Sequence, residues 1–340
     1  MNMEAWVLEK QGKAETKPLL KKEIPIPEVK KNEIRIKIKA TGICRTDLHE
    51  IESDLPLHKK PIIPGHQIAG IVDEAGEDVT SFKKGDRAGV AWLYSSCGNC
   101  KFCNSGKENL CPTAKFTGWD VDGGYAEFVI IDEKFAYHLG ENHSFVEQVP
   151  FMCAGITGYR GYRLAEIKKG EKLGLFGFGP TAAFVLQIAK TKGIECFVVT
   201  RSEHNQKSAK ELHADWVGDY DKKFPVKLDA AIFYPPAGEL ISYALSLLEP
   251  GGRLILSPIY MSPIEIKDYT GLLWMERSIK SVANVTRRDG IEFLKIADEL
   301  KLKSRTEIYG FNDIPEAIIK TAAGEIDGTA VATIDSSNPG

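Results

Sequence analysis

Long apolar runs are missing from the sequence. The best candidate, Leu173 to Ala189, is broken by Gly174, Gly177, Gly179 and Pro180, and a bilayer span needs roughly 18 consecutive apolar residues. An integral membrane protein is therefore excluded. A surplus of basic charge is missing as well: 44 Lys and Arg stand against 47 Asp and Glu, a formal net charge of -3. Nothing is left over to neutralise a phosphate backbone or an anionic lipid surface, so neither nucleic acid nor membrane is expected as a partner. The opening MNMEAWVLEK places Glu4 and Glu9 inside what would be the charged and apolar regions of a secretion signal, which points to a cytoplasmic protein. Internal repeats, low-complexity tracts and long linkers are absent. Cysteine is scarce, at seven in 340 residues, and in a reducing compartment such thiols read as metal ligands or buried side chains rather than bridges.

What is present is an ordinary globular composition, 43% hydrophobic and 27% charged, in a chain long enough for two domains at about 150 residues each. To about Gly140 the sequence is a series of short β-like runs, among them Glu33 to Lys39, Gln67 to Val72 and Tyr125 to Ile131, separated by Gly, Pro and Asp. From about Ala154 strands and helices alternate. Strands are predicted at Leu173–Phe178, Cys196–Thr200, Leu228–Tyr234 and Gly252–Ser257. The helices between them follow Pro180, span Gln206–Leu212 and span Glu239–Leu248. Such alternation implies a parallel sheet covered on both faces. Two amphipathic helices, Ile291–Leu300 and Ile314–Ala323, and a strand from Thr329 to Ile334 end the chain.

Cys97-x2-Cys100-x2-Cys103-x7-Cys111 packs four thiols into one short, glycine-containing segment closed by Pro112. That spacing suits a closed tetrahedral zinc site with no open position, hence a structural one. An iron–sulfur cluster, or four unrelated buried cysteines, are the alternatives. The segments Gly42-Ile-Cys44-Arg-Thr46-Asp47-Leu-His49 and Gly65-His66-Gln67 each offer a further ligand, and Cys153 in CAGITGY completes a second set.

With GICRTDLH, PIIPGHQIAGIV, GDRAGVAW, the four-cysteine lobe, DGGYAEF, CAGITGY and a Gly-rich turn in place, the sequence resembles the zinc-dependent alcohol dehydrogenases of the medium-chain dehydrogenase/reductase family over essentially its whole length. The resemblance implies an α/β protein with a β-rich GroES-like catalytic domain, residues 1–153 and 288–340. A doubly wound (Rossmann) cofactor domain, residues 154–287, would be inserted in it. It implies a catalytic zinc held by Cys44, His66 and Cys153, the ligand set of alcohol dehydrogenases, with Thr46 on the alkoxide oxygen, His49 passing the proton to solvent and Asp47 orienting His66. The alternative, that Thr46 and Asp47 merely cap a helix starting after Cys44, is compatible with these roles. Two departures stand out: Gln67 follows the ligand histidine where relatives carry Glu, and Thr329 follows Gly328 where relatives carry an Arg that contacts the cofactor. Trp92 and Trp119 are candidates for the substrate pocket wall, or for the core. Relatives form dimers or tetramers, so a homo-oligomer is expected.

Zinc has no redox chemistry of its own, so the electrons need an organic carrier. Gly177, Gly179, Pro180, Thr181 and Ala182 follow a predicted strand and open a predicted helix, the setting in which a glycine turn receives a pyrophosphate on a helix N-terminus. The next strand ends Thr200-Arg201-Ser202 with no carboxylate for the ribose hydroxyls. NADP(H) is therefore expected over NAD(H), unless Arg201 simply points to solvent. By resemblance, Thr157 would touch the nicotinamide. The chain is accordingly expected to move a hydride between an alcohol/aldehyde pair and a nicotinamide cofactor. Two rivals are a binding protein of the same fold that lost turnover, suggested by Gln67 and Thr329, and a reductase for bulky or aromatic aldehydes.

Overall fold

The computed structural model describes residues 1–334. They fall into two compact units: Met1–Cys153 with the chain from Thr286 onward, and Ala154–Val285. None of the helices among the described residues is long and apolar enough to cross a membrane.

The first unit is built on a largely antiparallel seven-stranded sheet. Along it the strands run Thr306–Gly310, Thr329–Thr333, Glu33–Ile43, Gln67–Ala75, Arg87–Val90 and Ala136–His138, and Phe128–Asp132 also pairs with Glu33–Ile43. Only the first two of these are parallel to each other. The central strand Glu33–Ile43 alternates along its first half, burying Ile34, Ile36 and Ile38 while Lys37 faces solvent, which is the period-2 signature of a half-buried strand. Those isoleucines form one core with Ile68, Val72, Val90 and Ile131. A second core gathers Val7, Leu8, Ile43, Ile51 and Tyr125 with Ile314 and Ile318 of the helix Ile314–Ala323.

The second unit is a six-stranded parallel sheet, in the order Trp216–Gly218, Glu195–Val199, Lys172–Phe176, Leu228–Phe233, Leu248–Leu256, Ser278–Ser281. Both faces are buried, as a covered parallel sheet requires. Leu173, Leu175, Val198, Ala230, Ile232 and Ile255 pack with Ala182, Val185, Leu186 and Ala189 of the helix Pro180–Thr191. The residues between them, among them Phe176, Val199, Ala231, Phe233 and Leu254, turn the other way onto Ile241, Ala244 and Leu245 of the helix Ile241–Ser246. Helix limits differ from the sequence expectation at capping residues. The helix expected from Gln206 starts at Glu203, because the Ser202 hydroxyl accepts the Asn205 N–H and fixes the N-cap. The helix expected from Ile291 starts at Arg287, behind a Thr286/Asp289 capping box.

Candidate metal centres and cofactor site

Cys44 follows the central strand Glu33–Ile43 and caps the helix Arg45–Ile51. Its sulfur accepts the Thr46 N–H at 3.4 Å, while the Asp47 carboxylate reaches back to the Cys44 N–H at 2.8 Å. His66 sits just ahead of the strand Gln67–Ala75, and Cys153 ends the short turn Val149–Met152. The sulfurs of Cys44 and Cys153 and a ring nitrogen of His66 all lie within 4.8 Å of one another, and Cys44 Sγ is 3.4 Å from His66 Nε2. In a tetrahedron of bonds about 2.3 Å to sulfur and about 2.0 Å to nitrogen, adjacent donors stand roughly 3.6 Å apart. The three side chains thus fit zinc with one position left over.

The other ring nitrogen, Nδ1, faces Asp47 Oδ1 at 3.0 Å, with both residues buried. This leaves Nε2 to face the sulfurs. Asp47 therefore caps the helix and also contacts the imidazole, a geometry compatible with both sequence readings of that residue. Burial pushes His66 down, and the Asp47 carboxylate with the Cys44 and Cys153 sulfurs more than offsets it, leaving the imidazole well above its ordinary value. The two cysteines titrate as a pair: sharing a hydrogen bond drives Cys44 well down and Cys153 well up.

Thr46 is buried beside Cys44, and His49 Nδ1 lies 2.8 Å from Asp54. Gln67 is buried with its Nε2 unpartnered. A Cβ on Gly42 would fall 2.9 Å from the Gln67 Cδ, so the glycine makes room for it. Trp92 lies 6.2 Å from the His66 ring and 6.0 Å from Trp119 between centroids. Phe116 and His58 extend this aromatic face, at 4.7 Å from Trp92 and 4.2 Å from Trp119. Neither had been marked in the sequence. Nor had Glu50, which is fully buried next to Asp47. Burial first, and the Asp47 charge next, push Glu50 well up, while His66 and, less, the Trp92 indole N–H pull the other way. The signal was available: three residues after Asp47, Glu50 falls on the same helix face.

The four sulfurs of Cys97, Cys100, Cys103 and Cys111 also lie within 4.8 Å of one another. Two of their separations are 3.6 Å and 3.9 Å, matching the roughly 3.8 Å edge of a tetrahedral zinc–thiolate site. At Cys111 burial acts upward, but the Cys97 N–H and Thr113 bring it down to about 6. Between the third and fourth cysteines, the buried Glu108 accepts from the Arg287 backbone N–H at 2.9 Å and its Nε at 3.3 Å. This ties the lobe to the helix Arg287–Leu300.

In the second unit, Gly177 turns the chain at φ +80° after the strand Lys172–Phe176, and Gly179 is the N-cap of the helix that starts with Pro180. A Cβ on Gly179 would meet no atom within 4 Å. The space beside that backbone is open, as a pyrophosphate docked on the helix N-terminus requires. Thr181 follows in the first turn, Ala182 is buried against the sheet, and Thr157 lies in the helix Ala154–Ala165. At the end of the next strand Thr200 is buried, Arg201 is exposed, and the Ser202 hydroxyl is engaged as the N-cap described above.

Residues 30–141 match the alcohol dehydrogenase GroES-like domain. The chain is 40% identical to "Probable alcohol dehydrogenase AdhA" of Mycobacterium tuberculosis over 98% of its own length and 97% of that protein's. It is 33% identical to an alcohol dehydrogenase of Geobacillus stearothermophilus over 94% and 97% of the two chains. The solved structure of CAD from Helicobacter pylori, complexed with NADP(H), superposes with a TM-score of 0.87 at 25% identity, covering 99% of both chains. The protein belongs to the zinc-type alcohol dehydrogenases of the medium-chain dehydrogenase/reductase family. It is an oxidoreductase acting on alcohols.

Proposed function

We propose that the chain is a two-zinc, NADP(H)-preferring alcohol dehydrogenase and aldehyde reductase. The observation that carries this reading is the convergence of Cys44, His66 and Cys153, with Asp47 on the far nitrogen of the imidazole. When bound, zinc supplies a Lewis acid that favours the alkoxide or polarises the carbonyl, and the nicotinamide takes or gives the hydride. The remaining chemistry falls to the chain. Asp47 holds His66 in one tautomer, the Thr46 hydroxyl bonds the substrate oxygen, and His49 exchanges the released proton with solvent. Gln67 keeps the position after the ligand neutral. Trp92 and Trp119 wall the substrate with flat apolar surface, which favours bulky or aromatic aldehydes. Cys97, Cys100, Cys103 and Cys111 hold the second, structural zinc.

Gly177, Gly179, Pro180, Thr181 and Ala182 receive the pyrophosphate, and Thr157 contacts the nicotinamide. Thr200, Arg201 and Ser202 surround the adenosine ribose. No carboxylate follows the strand Glu195–Val199 in that stretch, so a 2′-phosphate meets a guanidinium and hydroxyls instead of a like charge. Seven cysteines with no disulfide among them suit the cytoplasm. A homodimer or homotetramer is supported by the exposed Ile259, Tyr260, Tyr269, Trp274 and Met275 in the segment before the edge strand Ser278–Ser281.

The test is kcat/KM for NADPH and NADH with one aromatic aldehyde. Charge-assisted bonds to the phosphate, discounted for exposure, support a preference of about tenfold to a hundredfold. Arg201→Ala should weaken NADPH and spare NADH, and Thr200→Asp should reverse the preference. Equal values in the wild type would overturn the cofactor assignment.

A further inference from the structure

The helix Arg45–Ile51 carries two carboxylates into the interior. Asp47 is engaged on both oxygens, by the Cys44 N–H and by His66 Nδ1. Glu50, one turn later, is 0% exposed, and neither of its carboxylate oxygens has a hydrogen-bond partner. The charged groups that act most on it are Asp47, His66 and Cys44, none of them a permanent cation. The indole N–H of Trp92 is the donor that acts on it, yet that N–H is itself unpartnered. A buried carboxylate that makes no hydrogen bond is strongly disfavoured unless a cation compensates it, and an orphaned polar group of this kind calls for a physical cause. A divalent ion on Cys44, His66 and Cys153 is such a cation, and the largest local charge in a site of this kind. The Glu50 oxygens are outside the trio of donor atoms that lie within 4.8 Å of one another, which makes the residue an outer charge and not a ligand. The other side chain adjoining the ligand histidine, Gln67, is neutral and offers an unpartnered amide nitrogen.

We propose that Glu50 is the counter-charge of the metal held by Cys44, His66 and Cys153, attracting the ion through space from the helix that begins at the first ligand. It supplies from position 50 the negative charge that Gln67 does not supply from position 67. This inference rests on the zinc reading of the three-ligand cluster.

The experiment measures zinc affinity of the holoenzyme by chelator competition, together with melting temperatures of zinc-loaded and chelator-stripped protein. The proteins compared are wild type, Cys153→Ser, Glu50→Gln, and Glu50→Gln with Gln67→Glu. The isosteric Glu50→Gln change should weaken the more labile zinc by about 10–100-fold, the usual effect of losing an outer partner. It should lower the melting temperature of loaded protein and leave that of stripped protein unchanged, because the effect is linked to metal binding. Adding Gln67→Glu should recover most of the lost affinity. Unchanged affinity in Glu50→Gln would overturn the proposal. So would a loss of affinity that Gln67→Glu does not recover, or an equal drop in both melting temperatures, which would mark Glu50 as a packing residue. If Cys153→Ser released no zinc, the reading of the site itself would fall, an outcome distinct from any given by the Glu50 variants.

Discussion

Gly65 stands directly before His66 at φ +95°, and a Cβ there would fall 2.5 Å from Cδ1 of Tyr125, whose ring is fully buried and has nowhere to swing. Two penalties therefore coincide, a left-handed backbone and a steric clash. Gly65→Ala should destabilise the protein by about 1–3 kcal/mol from the backbone alone and displace His66 from the sulfurs. Thermal melts and zinc content of the purified variant check both effects; a normal melt with full zinc would mean the turn relaxes freely. At this scale Cys44, His66 and Cys153 could be named from the sequence because their flanking motifs resemble a family, whereas spacing alone left each an ordinary residue. Glu50 escaped notice since a glutamate in a short helix reads as a solvated face. Its place three residues after Asp47 shows a shared helix face, but not that this face is buried.

At the scale of elements, the alternation of strand and helix after Ala154 was legible because both faces of a parallel sheet must be apolar, as Leu173 to Phe176 and Cys196 to Val199 are. The strands Trp216–Gly218 and Ser278–Ser281 were not read. They are short edge strands, one of them mostly exposed, and so lack a hydrophobic run. One element junction supports a pH prediction. Asp215 accepts from the Lys190 Nζ at 2.7 Å and from the Cys196 N–H at 2.7 Å, tying the end of the helix Pro180–Thr191 to the strand Glu195–Val199. Burial pushes its carboxyl up, but these two donors prevail and hold it below its ordinary 3.8. A depressed carboxyl stabilises the fold above its unfolded value, and that stability is lost as pH falls through the folded value. Asp215→Asn should lose about 1 kcal/mol at pH 7, after discounting for partial exposure. The gap from wild type should close as the pH is lowered below about 3.8. Urea titrations at several pH values measure this, and a gap independent of pH would show that Asp215 acts through shape and not charge.

The whole molecule divides its chemistry unevenly. Both clusters of residues able to hold a metal, among the described residues, belong to the unit of Met1–Cys153 and the chain from Thr286, whereas Ala154–Val285 has two apolar cores and none of these side chains. Through Glu108 the four-cysteine lobe anchors the start of the helix Arg287–Leu300, so a metal held by its four thiols would contribute to folding. On the proposed reading, the three-ligand site leaves one position for substrate and should yield its zinc first to a chelator. Two variants separate these roles. Cys153→Ser should retain one zinc of two, lose turnover, and melt close to the wild type. Cys100→Ser should also retain one, but with a loss of about 3 kcal/mol the first unit should melt roughly 6–12 °C earlier. The Ala154–Val285 unit, resting on its own cores, should melt at an unchanged temperature and still be raised by NADPH. Elemental analysis and calorimetry on the two variants decide the matter. If Cys153→Ser proved the less stable of the two, the structural and catalytic assignments of the sites would have to be exchanged.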